Sequence, residues 1–322
     1  MSRIFSAIRR KWVPPALMSA NLEGYTVLVT GANVGLGFEA ALKYVSLGAS
    51  TVIFGVRSME KGNAAKDAIE EQTQRRGVIK VWHLDMDDSS SVKAFADRVS
   101  TEVERVDIAL LNAGLHMASF TKSPEGWEET LQVNLLSTVL LALLLLPKLK
   151  EGAGALAAKT GAAAEEEQNN RIPHLTIVSS MAYKLVGHGE WEDAPDILQH
   201  FNTPDNYSGP RQYAVSKLLL MYAVDELAAL AAAPAVPTTK APTGDSASAT
   251  SPPQVIVTPL CPGFCWSDLA RHYSGFFYGV AKYIFYSLLA KSTEVGSRTL
   301  VNASLQGPEA HGKFYDVENI AE

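Results

Sequence analysis

Residues 213–217 read Y-A-V-S-K, with a phenol and an ammonium four positions apart. On a helix, positions i and i+4 share a face and their side chains meet. A phenol ordinarily titrates near pH ~10, and a nearby cation stabilises its anion and lowers that value. Tyr213 and Lys217 are therefore a candidate tuned proton donor. An ordinary amphipathic helix with a Tyr near a Lys reads the same way, because so short a motif carries little specificity alone. Tyr207 is a rival phenol, but position 211, four residues on, is Arg and not Lys.

A second set of residues suits phosphate. T-G-A-N-V-G-L-G comes after an apolar run of β-formers and opens a helical pattern, with Gly31, Gly35 and Gly37 in the spacing G-x-x-x-G-x-G. Glycine allows a tight turn and close approach of backbone to a pyrophosphate, and a helix N-terminus offers free N–H groups. Asn33, Val34 and Leu36 are the other members of that loop. The next apolar run ends in V-R-S-M-E-K, with Arg57 where an acid would select ribose hydroxyls. A guanidinium there suits a 2′-phosphate, and the alternative is a solvated surface Arg.

These residues need a frame. Tyr25–Thr30, Thr51–Val56, Val78–Leu84, Ile108–Leu111, Leu175–Ser179 and Gln254–Pro259 read as strands buried on both faces. Helical patterns at Phe38–Leu47, Met59–Thr73, Val92–Val103, Trp127–Leu146 and Tyr213–Ala232 alternate with them, and Asp88 or Ser89 is placed to cap the third. A last helix near Thr293–Leu305 and a short strand at Lys313–Tyr315 close the pattern. The expected class is α/β, a Rossmann-type doubly wound, mostly parallel sheet with helices on both faces. Residues 1–21 form an N-terminal arm and 22–322 a single dinucleotide-binding catalytic domain. Ala-, Gly- and Glu-rich 151–170 and Ala-, Pro-, Thr- and Ser-rich 231–253 read as surface insertions, the second as disordered.

Composition narrows the partners. The 322 residues are 47% hydrophobic, with a net charge of −6, which argues against nucleic acid. The two cysteines, Cys261 and Cys265, are too few for a disulfide framework or a metal site, and reduced thiols in a cytoplasmic protein are expected. The runs Leu135–Leu146 and Phe276–Leu289 fall short of the ~20 residues of a spanning helix, so no transmembrane segment is expected. The basic N-terminal arm lacks the apolar stretch of a signal peptide.

T-G-A-N-V-G-L-G, N-A-G at 112–114, V-S-S at 178–180, Y-A-V-S-K and P-G at 262–263 together resemble the short-chain dehydrogenase/reductase family. The likeness runs in order from about Leu22 to Tyr315, and N-Y-S-G-P-R-Q-Y-A-V-S-K resembles its retinol-dehydrogenase-like branch and fungal relatives, which often serve secondary-metabolite pathways. The resemblance implies Tyr213 as catalytic acid/base, Lys217 as the residue that tunes it and holds the nicotinamide ribose, and Ser180 as a donor to the substrate oxygen. It implies Asn134 as the holder of a relay water. It places Asn112, Ala113 and Gly114 along the adenosine, Asp85 and Met86 at the adenine, and Pro262, Gly263 and Ser267 over the nicotinamide.

The expected activity is that of an NADP(H)-dependent carbonyl reductase or secondary alcohol dehydrogenase. The same fold running a dehydration or epimerisation, or binding NADP without turnover, is the alternative, since fold does not fix the reaction. Residues 264–289 carry a dense aromatic run that reads either as a core or oligomer contact or as a lid over an apolar pocket, which would favour an apolar small-molecule substrate. The family's pairing through two long helices makes a homo-oligomer a further expectation, which the insertions and the arm are placed to block or alter. Ser180 and Tyr213 are 33 residues apart, a wide gap for the family. His188 and His200 lie within it and receive no role.

Overall fold

A computed structural model of the chain describes residues 14–157, 171–187, 189, 191, 194–232, 253–266, 269, 290–316 and 319–320. Most of both insertions, the first part of the arm and most of the aromatic run at 264–289 therefore lie outside the described residues, as do Ser267 and His188.

Seven strands run parallel: β1 (Thr26–Thr30), β2 (Thr51–Val56), β3 (Ile79–His83), β4 (Ile108–Leu111), β5 (His174–Val178), β6 (Ile256–Cys261) and β7 (Tyr315–Asp316). An antiparallel edge strand, β8 (Asn319–Ile320), completes the sheet. The order is β3-β2-β1-β4-β5-β6-β7-β8. After β1 the chain builds outward to β3, then returns to lay β4 on the other side of β1. Such a reversal opens a crevice beyond the carboxyl ends of the two central strands. Gly31 comes directly after β1 and Asn112 directly after β4, so the two motifs meet there.

Helices cover both faces. On one side α1 (Gly35–Ser46), α2 (Met59–Thr73) and α7 (Thr293–Ala303) bury Ala40, Tyr44, Ile69 and Leu300 against Val27, Val29 and Phe54. On the other, α3 (Ser89–Glu102), α4 (Thr138–Ala157) and α6 (Gly209–Ala232) bury Phe95, Leu145 and Val224 against Ile53, Leu111 and Ile177. Alternate strand residues thus enter opposite cores, which is why the strands read as continuous apolar runs rather than alternating ones. Asp88 caps α3, its carboxylate accepting from Ser90 N at 2.8 Å.

The helix expected at Trp127–Leu146 differs in detail. It opens with a turn at Glu129–Leu131, widens into a π-helical turn at Gln132–Ser137, and only then becomes α4. The continuous helix Glu129–Ala153 is longer than the apolar run Leu135–Leu146 and is long and apolar enough to cross a membrane by length and composition alone. Two thirds (67%) of its most apolar window is buried inside the protein, as suits a core helix.

The long segment between Ser180 and Tyr213 returns through α5 (Ile197–Phe201), and side chains pin it. Asn202 Nδ2 donates to the Gly126 carbonyl at 3.1 Å, and Glu128 N donates to Asn202 Oδ1 at 2.8 Å. Gln212 Nε2 donates to the Phe201 carbonyl and to Glu128 Oε2, both at 2.9 Å. The Glu128 carboxylate is fully buried and also accepts from Thr130 Oγ1 and Leu131 N. A buried charge is tolerated only when hydrogen-bonded in this way.

The arm is packed where it is described. Asn302 on α7 donates to the Ala16 carbonyl at 2.8 Å and accepts from Met18 N at 2.9 Å, and Arg298 donates to the Pro15 carbonyl at 3.1 Å.

Candidate active site

Tyr213 and Lys217 both lie in the first turns of α6. The Lys217 stem packs in the core, with the residue 4% exposed, and its Nζ donates to the Val178 carbonyl at 2.9 Å. Val178 is the last residue of β5, two before Ser180, so one hydrogen bond ties the catalytic helix to the strand that presents the serine. The ammonium sits 5.8 Å from the centre of the Tyr213 ring. Burial pushes the Lys217 pKa down to about 8, with the Cys261 thiol opposing. A cation that titrates so near neutrality can lose its charge within an ordinary working range of pH.

Ser180 Oγ accepts from Ala182 N at 3.2 Å, starting a 3-10 turn at Met181–Leu185. That bond uses a lone pair and leaves the hydroxyl proton to donate elsewhere. Asn134 lies in the π-helical turn and is fully buried. Its side chain closes on the loop after β4, with Leu115 N donating to Oδ1 and Nδ2 donating to Leu115 O, each at 2.9 Å, while Nδ2 also reaches Ser216 Oγ at 3.2 Å. The side-chain amide is committed to holding the loop after β4 against α6. Tyr207, the rival phenol, donates to the Met117 carbonyl at 2.8 Å.

The glycine loop has the shape a pyrophosphate needs. Gly31 and Gly35 have φ of +67° and +62°, where a side chain would be strained. A Cβ at Gly37 would collide with the Gly31 carbonyl and with the Asn112 amide, whereas one at Gly35 would meet nothing within 4 Å. Helix α1 is therefore packed tightly at Gly37 and open at Gly35. The preceding Val34 gives α1 no side-chain cap, so its first N–H groups point outward without one. Asn33, Val34 and Leu36 border this opening, and Val34 is exposed.

Asn112 fixes the crevice: its Nδ2 donates to the Thr30 carbonyl at 3.0 Å, and Asn112 N and Ala113 N both donate to Thr30 Oγ1 at 2.9 Å. Gly114 comes next, and a Cβ there would press on Asn134 Oδ1 at 3.2 Å. Asp85 lies just past β3 and its carboxylate accepts from Asp87 N at 3.1 Å. Met86 is buried in the core, leaving its backbone for a ligand. Arg57 stands exposed at the end of β2, and no carboxylate pairs with it among the described residues. Ser58 caps α2 instead, accepting from Lys61 N at 3.3 Å. Asp87 is pushed up to about 6 by burial and by Glu129 and Asp85, with Arg57 opposing. Pro262 and Gly263 turn the chain after β6, with Gly263 at φ +78°.

Known proteins share this sequence over nearly its full length. The short-chain dehydrogenase/reductase phmF of Phaeosphaeria nodorum is 37% identical over 304 residues, covering 94% of this chain and 80% of that protein. The chain belongs to the short-chain dehydrogenase/reductase family. The short-chain dehydrogenase/reductase ffsI of Aspergillus flavipes is 38% identical over 309 residues, covering 96% of the chain and 81% of its own length. The family model described as short chain dehydrogenase matches residues 25–173. Among solved structures, a short-chain type dehydrogenase/reductase from Mycobacterium marinum superimposes with a TM-score of 0.62 at 16% identity, covering 97% of each chain. A short chain dehydrogenase from Shigella flexneri complexed with NADP gives a TM-score of 0.57 at 20% identity, over 93% of this chain and 99% of that one.

Three further polar residues of this short-chain dehydrogenase/reductase hold the site together. Thr30 joins β1 to the N-A-G segment, and Glu128 with Gln212 anchors the first turn of α6. Thr30 opens the glycine motif and Gln212 directly precedes Tyr213, so only Glu128 lies outside the quoted motifs.

Proposed function

We propose that the chain is an NADPH-dependent carbonyl reductase, working in reverse as a secondary alcohol dehydrogenase, on an apolar small-molecule ketone or alcohol. The carrying observation is the buried Lys217 ammonium, one helical turn from Tyr213 and bonded to the strand end that presents Ser180. When bound, NADPH supplies the hydride. Tyr213 gives the proton to the carbonyl oxygen, and Ser180 donates a hydrogen bond to the same oxygen as negative charge builds there. Lys217 favours the phenolate that the step leaves behind. The Asn134 carbonyl holds a water through which the proton is replaced.

The open Gly35 position and the uncapped start of α1 fit a pyrophosphate, and exposed Arg57 fits a 2′-phosphate. Pro262 and Gly263 would border the nicotinamide. An apolar substrate is supported by Leu185, Phe264 and Trp266, which are 75%, 41% and 44% exposed in the segments beyond Ser180 and Gly263. A cytoplasmic setting is supported by the two free, buried cysteines. The fungal origin of the relatives supports a role in secondary metabolism.

The test is turnover. Purified protein, NADPH and a panel of ketones graded from small keto acids to bulky polycyclic carbonyls should consume NADPH in step with reduced product identified by mass. Tyr213→Phe should lower kcat by about 10²–10⁴-fold and leave NADPH affinity nearly unchanged. Product formed without NADPH consumption, or a Tyr213→Phe variant with normal kcat, would overturn the assignment.

A further inference from the structure

His116 lies in the loop that leaves β4 and has no part in the chemistry above. Its imidazole is stacked on the Tyr213 ring, with centroids 4.9 Å apart and planes 26° from parallel. The loop that carries it is pinned on both sides. Leu115 exchanges both of its backbone hydrogen bonds with the Asn134 side chain, and the Met117 carbonyl accepts from Tyr207 at 2.8 Å. Tyr207 is itself held edge-on by Phe120 at 5.7 Å. Three separate stretches of chain thus converge on the three consecutive residues 115–117.

The imidazole stands on the catalytic helix as well as beside it. Its hydrogen bond to the backbone of Gly209, the first residue of α6, favours the protonated ring, and the larger effect of burial holds its pKa below the usual histidine value. A neutral, flat ring results, and it stacks without adding charge. Tyr213 gains a flat neighbour from it. A tyrosine ring moves in a broad torsional well, and Lys217, directed to the Val178 carbonyl, does not hold it sideways. A proton donor must lie within hydrogen-bond reach of its acceptor, and misplacement of even an ångström can cost about 100-fold in rate.

We propose that His116 is a positioning residue, whose pinned imidazole braces one face of Tyr213 and fixes where its hydroxyl points. The proposal deepens the reading of Tyr213 as proton donor and rests on it. Three variants, His116→Ala, His116→Phe and Tyr213→Phe, separate the two claims, with NADPH and phenanthrenequinone as the probe carbonyl. His116→Ala should lower kcat roughly 10-fold and leave the NADPH dissociation constant unchanged. His116→Phe keeps a flat ring and should recover most of that loss. If the alanine variant fails to fold, His116→Gln, which fills space without an aromatic face, replaces it.

A second measurement needs no turnover. In protein labelled with ring-13C tyrosine, the resonance absent from Tyr213→Phe reports that ring. It should shift in His116→Ala, which removes the stacked ring, and move back toward its original position in His116→Phe. A normal kcat and an unmoved resonance in His116→Ala would overturn the proposal, as would a His116→Phe variant no better than the alanine one. Full activity in Tyr213→Phe would instead sink the proton-donor reading, with the resonance still deciding whether the stack exists.

Discussion

Arg57, with the acids around it, is the side chain on which the proposed preference for NADPH turns. Burial and then the neighbouring Glu129, Asp85 and Glu125 raise the pKa of Asp87, and Arg57 is the cation that opposes them. A 2′-phosphate approaching this end of β2 meets repulsion from the acids and attraction from the guanidinium. Arg57→Asp removes the attraction and adds a fifth carboxylate. NADPH binding should weaken by on the order of 30–100-fold while NADH binding changes little, as read by fluorescence titration of both. An unchanged ratio would make Arg57 a surface charge. The sequence signals that single out Arg57, Tyr213 and Lys217 are local, each defined by near neighbours: a strand end or a helical turn. His116 has no such signal, because its partner Tyr213 is remote in the chain and only the fold stacks them.

Elements carry the next level of the site. The strands and helices were legible from their apolar runs, and Met59–Thr73 was placed to the residue. The π-helical turn was not, because Q-V-N-L-L-S reads as ordinary helix. Its cause is long-range: Asn134 must reach Leu115 and Ser216 at once. Nor did the sequence say how 33 residues return from Ser180 to Tyr213. Gln212 is the keystone there, bonded to both Phe201 and buried Glu128. Gln212→Ala removes both bonds and leaves a buried carboxylate short of a donor. We expect a loss of about 2–3 kcal/mol in denaturant unfolding and a fall in kcat larger than any change in NADPH affinity. A variant as stable as the parent would mean that α5 is held by packing and the Asn202 bonds without Gln212.

At the scale of the whole molecule, acid stability has a specific source. His174 begins β5, is buried, and its Nδ1 has no hydrogen-bond partner among the described residues. Burial pushes its pKa down to about 4. An unfolded histidine titrates near ~6.5, so as pH falls below that value the unfolded chain takes up a proton that the folded one refuses. The stability is fully present above ~6.5 and is lost as pH drops toward 4, by about 3 kcal/mol in all. Asp87, raised to about 6, works in the opposite direction over the same range. The contribution of His174 is therefore read as a difference. His174→Leu should flatten the loss of denaturation midpoint between neutral and acidic buffer relative to the parent. An equal loss in both proteins would place the acid sensitivity elsewhere.

Helix α7 holds the arm on one side and the nucleotide helix on the other. Lys43 in the last turn of α1 reaches Glu294 at 3.2 Å, and Arg298 grips Glu294 with two bonds of 2.9 and 3.0 Å while holding Pro15. Mechanically, this is a load path. Tension applied at Pro15 runs through Arg298 and Asn302 into α7, then through Glu294 and Lys43 into α1, whose first turn is the proposed phosphate site. The amino end of the fold is thus a handle on the nucleotide loop.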